Sequence, residues 1–216
     1  MKNILALLLL TFFCEAKAQS SATPEIRNLY NQNYRSITYL GMDFSKVVLI
    51  GDFSEALGVG GNSATKNAYF KAWNNLVTGE FDKYSIKALV NNQNIATELQ
   101  GVMEMNNTSK IDELSGYKEP DYTKEAIQQH MNDYMLPSDK GLGVIVLMES
   151  FNQNTSKAYI DLVVINMTTK EIVLLKKLET TPRGRGLRNY WAGAIYQFFK
   201  EVEKNFGTTW KNDLGL

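Results

Sequence analysis

A chain of 216 residues that balances 23 Lys and Arg against 23 Asp and Glu has no basic face to offer a nucleic acid. A single Cys and a single His leave no ligand set for a structural zinc and no disulfide framework.

The N-terminus reads Met1-Lys2-Asn3, then an apolar run from Ile4 to Phe13, then Ala16-Lys17-Ala18. A basic start, a short apolar core and an A-x-A exit make residues 1–18 a secretory signal peptide, cleaved near Ala18. The run is about half the length that crosses a bilayer, and no second such run follows, so no membrane span is expected. Cys14 lies inside this leader. Phe12 and Phe13 precede it where a lipoprotein signal has small residues, so no lipid anchor is expected. The mature chain then lacks Cys, which suits a bacterial periplasm or cell surface. Loss of Lys2, Lys17 and Glu15 leaves 21 basic and 22 acidic residues, still neutral. A chain of that size buries about 70% of its unfolded surface in one core.

Residues 19–35 are polar and read as a tail that wraps the domain. Residues 36–216 read as a single α/β domain. "SITYLGMDFSKVVLIGDF" is one bent strand or two. "ALGVGGNSA" is a glycine loop. Tyr69, Phe70, Trp73, Leu76 and Val77 recur at helical spacing, with Asn62 or Ser63 as cap and Gly79 as stop. A short helix is expected over 83–90. Alternation of Ile95, Thr97, Leu99, Gly101, Met103 and Met105 predicts a strand. A polar loop runs to Pro120, and Asp121 is placed to cap a helix whose apolar stripe is Ile127, Met131, Tyr134 and Met135.

"GVIVLMESF", "AYIDLVVIN" and "EIVLLKKLE" are three strands joined by hairpin-length breaks, which predicts an antiparallel meander. The first two are apolar on both parities and read as central. Lys176 and Lys177 mark the third as an edge. Leu187, Trp191, Ala194, Ile195, Phe198, Val202 and Phe206 form the stripe of a final helix that covers the sheet. The fold class is therefore α/β: a mixed sheet ending in a three-strand antiparallel meander, with helices packed on it.

Gly184-x-Gly186 lacks the third glycine of a dinucleotide fingerprint, because Asn189 stands there, and the preceding strand belongs to a hairpin. No P-loop occurs. The stretch is instead read as an anion-accepting helix start. Gly184 and Gly186 turn the backbone tightly, Asn189 caps, and Arg183, Arg185 and Arg188 crowd a terminus already positive. The anion is either a carboxylate of this domain or that of a ligand or partner.

No metal and no cofactor is expected: residues 152–156 lack carboxylates for calcium. His130 is the sole histidine and lies on an apolar helix face, the position of a satisfied core or rim residue. Glu149 and Asp161 sit inside apolar strands and are expected to point outward at the sheet rim. A carbohydrate-cleaving pair would require them to face a cleft. Gly51-Asp52-Phe53-Ser54 interrupts an esterase nucleophile block with Phe53, and no Asp-x-x-His follows. Trp73 and Trp191 read as core, and Trp210 as the freer ring.

The block "GLGVIVLMESFN…AYIDLVVINMTTKEIVLLKKL…GRGLRNYWAGAIY", with "YLGMDFSKV" near the front, resembles a family of exported, uncharacterised proteins of Bacteroidetes. The order of strands and helices is also similar to the amino-terminal periplasmic domains of the TolB and curli-secretion types. These resemblances imply a non-enzymatic binding or assembly module of the cell envelope, with an envelope protein or a small anionic ligand as partner. The alternative is an exported hydrolase that uses Glu149 and Asp161.

Overall fold

The computed structural model describes residues 22–34, 36–53 and 63–216. Residues 1–18, read above as a signal peptide, lie outside them with Cys14, Asn62 and most of the glycine loop. In chain order the elements are α1 (Pro24–Tyr30), β1 (Ile37–Asp43), β2 (Val48–Ile50), α2 (Ser63–Gly79), a 3-10 turn (Ile86–Leu89), β3 (Ile95–Thr97), α3 (Gln100–Thr108), α4 (Ile111–Leu114), β4 (Ser115–Gly116), α5 (Lys124–Asn132), β5 (Leu142–Asn152), β6 (Lys157–Asn166), β7 (Ile172–Thr180), α6 (Leu187–Phe206) and α7 (Thr209–Asp213).

The sheet is mixed, and β5 is its hub. Along one side β5 pairs antiparallel with β6, which pairs antiparallel with β7. Along its other side β1 and β2 run end to end, both parallel to β5; β3 extends β1 and β4 extends β2. Asp43 stands opposite Leu147 and Val48 opposite Ser150. Four residues, Phe44 to Val47, therefore face two on β5. The strand expected to be bent or double is double because of this detour. β5 bulges at the same level, with Glu149 as the extra residue between pairs Met148–Ile160 and Ser150–Tyr159.

Both faces are covered, which makes β5 and β6 apolar on both parities. On one face Val144, Val146, Met148, Ile160, Leu162 and Val164 meet α2 and α6 through Phe70, Trp73, Trp191, Ile195 and Phe198. On the other, Ile145, Leu147, Val163 and Ile165 meet Val102 of α3 and Ile127 and Met131 of α5. The result is three layers, helices on sheet on helices.

Several expectations are corrected. Within the segment read as a wrapping tail, Pro24–Tyr30 is a helix: Thr23 caps α1 through Ile26 N–H at 3.3 Å, and Tyr30 stacks on Phe206 at 4.5 Å. Most of the strand expected over 95–105 is the helix α3. Only Ile95–Thr97 is extended. The alternation there was incidental, since Leu99, Val102 and Asn106 share one helical face and Gln, Met and Glu favour helix. Thr123, not Asp121, caps α5, accepting from Ala126 N–H at 3.2 Å. Trp210 is not free but buried, with Lys176 Nζ 5.5 Å above its ring.

Candidate functional site

β1 leaves the ladder at its carboxyl end, and two buried amides replace the lost pairing. Asn74 of α2 accepts from Met42 N–H at 2.8 Å and donates to Met42 O at 3.0 Å. Asn106 of α3 accepts from Phe44 N–H at 2.6 Å and donates to the same Met42 O at 3.0 Å. Met42–Phe44 is thus held from both helix layers, and Asp43 between them is fixed.

Asp43 is wholly buried, and its carboxylate gathers donors. His130 Nε2 meets Oδ2 at 2.7 Å, Tyr134 OH donates to the same oxygen, and Ser45 N–H donates to Oδ1 at 2.7 Å. Burial alone would raise the Asp43 pKa. The bonds and charge of His130, with Tyr134 and Ser45, outweigh it and hold the carboxyl below the ordinary range. Burial, then the charge of Asp43, lifts the Tyr134 phenol well above its ordinary value, so it remains a donor.

Ser45 Oγ also lies 3.3 Å from His130 Nε2. Ser, His and Asp in contact suggest a nucleophilic triad, but the wiring is wrong. A triad base spends its two ring nitrogens on different partners, whereas here serine and aspartate converge on one. His130 is the satisfied buried residue expected of it, 8% exposed, yet it also borders a cavity.

That cavity encloses about 350 Å³ and is lined by Lys46, Tyr122, Ala126, Ile127, His130 and Leu147. It opens where β1 gives way to β2, at the carboxyl end of β1, the place where open α/β sheets bind ligands. Tyr122 closes one wall, its OH donating to Lys46 O at 2.7 Å.

A second polar cluster flanks it. Asp43, Leu147, Asp161 and Lys177 are register partners across β1, β5, β6 and β7. Glu149 and Asp161 do not point outward. They are 1% and 0% exposed and lie within hydrogen-bonding reach of each other. Burial is the main cause that lifts the Asp161 pKa to about 8, with the hydrogen bond and charge of Glu149 adding to it and Lys177 opposing. Asp161 is therefore a buried acid that keeps its proton at neutral pH, beside Glu149. Lys177 Nζ lies 2.8 Å from Glu149 Oε1, close enough for an ion pair but off that oxygen's hydrogen-bonding direction.

The arginine turn is only partly assembled. Arg183, Gly184, Arg188 and Asn189 line a cavity of about 440 Å³ with Lys83 and Glu80; Arg185 and Gly186 stand outside its lining. The helix begins at Leu187, not Tyr190, and its cap is Gly186 (φ 73°) without a side-chain bond, not Asn189. It starts there because half-buried Leu187 already packs on the core. The glycines serve contact. A Cβ at Gly184 would stand 2.6 Å from Asn189 O, and one at Gly193 would collide with Arg183 O, so the turn lies directly on the helix backbone.

Asp43, Ser45, Tyr122, Tyr134 and Lys177 went unread as site residues. The signal available was an acid inside the apolar run "TYLGMDFS". Among the described residues no cluster of three or more His, Cys, Asp or Glu is placed to hold a metal, and no helix is long and apolar enough to cross a membrane.

No family model matches the chain, and no curated protein matches it. Among solved structures it is similar to a hypothetical protein, CT253, from Chlamydia trachomatis. The two are 9% identical, with 83% of this chain and 97% of that chain covered and a TM-score of 0.31. A likeness at that score carries nothing to the site.

Proposed function

We propose that the protein is an exported, non-enzymatic binding module of the bacterial cell envelope, of the kind its resemblance to exported Bacteroidetes proteins implies, and that its ligand occupies the cavity over Leu147. The observation that carries this reading is the cavity's position and lining. It sits at a strand carboxyl end, is walled by two rings and apolar side chains, and is backed by polar groups bonded to one another. Such groups shape a pocket and are not poised to attack a substrate. Glu149 and Asp161 face each other but are sealed from solvent and balanced by Lys177, so no glycoside can enter between them.

The test uses the anionic apolar dye 1-anilinonaphthalene-8-sulfonate on the folded mature chain. Saturable fluorescence enhancement is expected, and Ala126→Trp, an exposed rim position that plugs the mouth, should abolish it. Hydrolysis of 4-nitrophenyl glycosides that disappears in Glu149→Gln would instead make the protein a hydrolase.

A second reading concerns the arginine turn. Its 440 Å³ cavity collects Lys83, Arg183 and Arg188 beside a helix start with no side-chain cap, which favours a small carboxylate or phosphate. Melting temperature should then rise with phosphate or a uronate more than with chloride, and Arg183→Gln with Arg188→Gln should remove the rise. An unchanged rise in the double variant leaves only a structural turn.

A further inference from the structure

Resting on the reading of the cavity over Leu147 as a ligand site, we infer that its ligand is a small amphipathic anion: an apolar chain or single ring, with one carboxylate held by Lys46 at the rim. The lining decides this by what it leaves free. Ala126, Ile127 and Leu147 offer only carbon. Tyr122 OH is spent on Lys46 O, and His130 Nε2 is spent on Asp43. Among the described residues, the side-chain polar atoms of the lining that make no hydrogen bond are Lys46 Nζ and His130 Nδ1.

Lys46 is exposed at the rim and presents its ammonium group there. Glu113, whose carboxylate feels that charge, is already paired with Lys110 at 2.9 Å. The carboxylate of Asp43 makes His130 Nε2 the donor in their bond, so Nδ1 is left as an acceptor and the anion is met by Lys46.

The acids behind the wall do not reverse the sign. Glu149 is met by Lys177, burial raises the Asp161 pKa and keeps its charge off, and Asp43 is covered by three donors. A cationic ligand would find no open carboxylate, because Asp43, Glu149 and Asp161 are all closed off. A purely polar ligand would lose its own water against a carbon wall that returns no hydrogen bond. The enclosed volume of about 350 Å³ is at the low end for small-molecule sites, which sets the size at a ring or a short chain.

The experiment pairs acids with their neutral amides: hexanoate with hexanamide and phenylacetate with phenylacetamide, titrated into the mature chain and followed by amide NMR shifts. The acids should bind about tenfold or more tightly than the amides, the amount expected of one charge-assisted contact. Lys46→Met, which keeps the apolar stem at an exposed site, should erase that difference by weakening the acids far more than the amides. Ala126→Trp should abolish both.

Equal binding of acid and amide overturns the anion, an acid preference that survives Lys46→Met overturns its seat at Lys46, and either result leaves the cavity as the site. Shifts that map away from Lys46, Tyr122, Ala126 and Leu147, or no binding by any of the four compounds, overturn the cavity reading itself.

Discussion

Asp161 keeps its proton to about 8 because it is buried against Glu149, whereas an unfolded aspartate ionises near about 3.9. The folded state thus holds the extra proton between those values. Stability from this group is complete below about 4 and is lost as pH rises through about 8. Denaturation at pH 5, 7 and 9 should show the wild type weakening stepwise. Asp161→Asn, which donates to Glu149 without ionising, should stay flat over that range. Parallel decline of both would place the proton elsewhere. Asp43 works with the opposite sign: its carboxyl is held low, so its contribution is present above the ordinary carboxylate range and drains only as pH falls through its folded value. Deleting it should cost more than deleting one of its donors. Asp43→Ala strands His130 and Tyr134 and should lose about 3–5 kcal/mol, against about 1–2 kcal/mol for Tyr134→Phe, by urea denaturation. Of this polar row the sequence marked Asp161, with Glu149 beside it, but turned both outward, and it gave no sign of Asp43 as their neighbour. A lone acid in an apolar strand says that a partner exists but not which strand supplies it. Here Asp43, Asp161 and Lys177 are brought level by strand register.

At the scale of elements, α6 is the ridge on which one sheet face depends. Trp191 stacks on Phe151 at 4.5 Å and on Phe53 at 5.5 Å, and Trp191→Ala should cost about 3–5 kcal/mol. A loss under about 1 kcal/mol would mean that the helix does not dock through this ring. Gly193 gives a sharper test. In a bare helix Ala would beat Gly by about 1 kcal/mol. Here a Cβ would drive into Arg183 O, so Gly193→Ala should lower the melting temperature and spare Leu187–Phe206 helicity by circular dichroism. The stripe of α6 was readable because seven apolar residues keep one phase. α3 was not, because a nine-residue helix beside a three-residue strand leaves too few turns for periodicity to choose.

For the whole molecule, legibility followed sequence distance. The strands of β5, β6 and β7 could be read because hairpin-length turns join them. The parallel seating of β1 and β2 on β5 could not, because about a hundred residues intervene and neither strand carries a mark of its partner. The cavity over Leu147 is a product of that distant seating, which is why no motif announced it. A sheet covered on both faces should also melt as one unit. Trp73, Trp191 and Trp210 belong to one core cluster, so fluorescence reports that side and far-ultraviolet circular dichroism reports the whole. The two transitions should coincide in urea.

The hub position of β5 has a kinetic consequence. β1 and β2 both lean on a strand that the ribosome makes only after two thirds of the chain, and until Asn152 emerges they have no ladder to join. An amino-terminal fragment that ends before Leu142 should therefore stay unfolded by circular dichroism, with β5, β6 and β7 gathering by short-range closure before they capture the strands made first. A polypeptide that waits for its own tail remains threadable through a narrow pore for most of its synthesis.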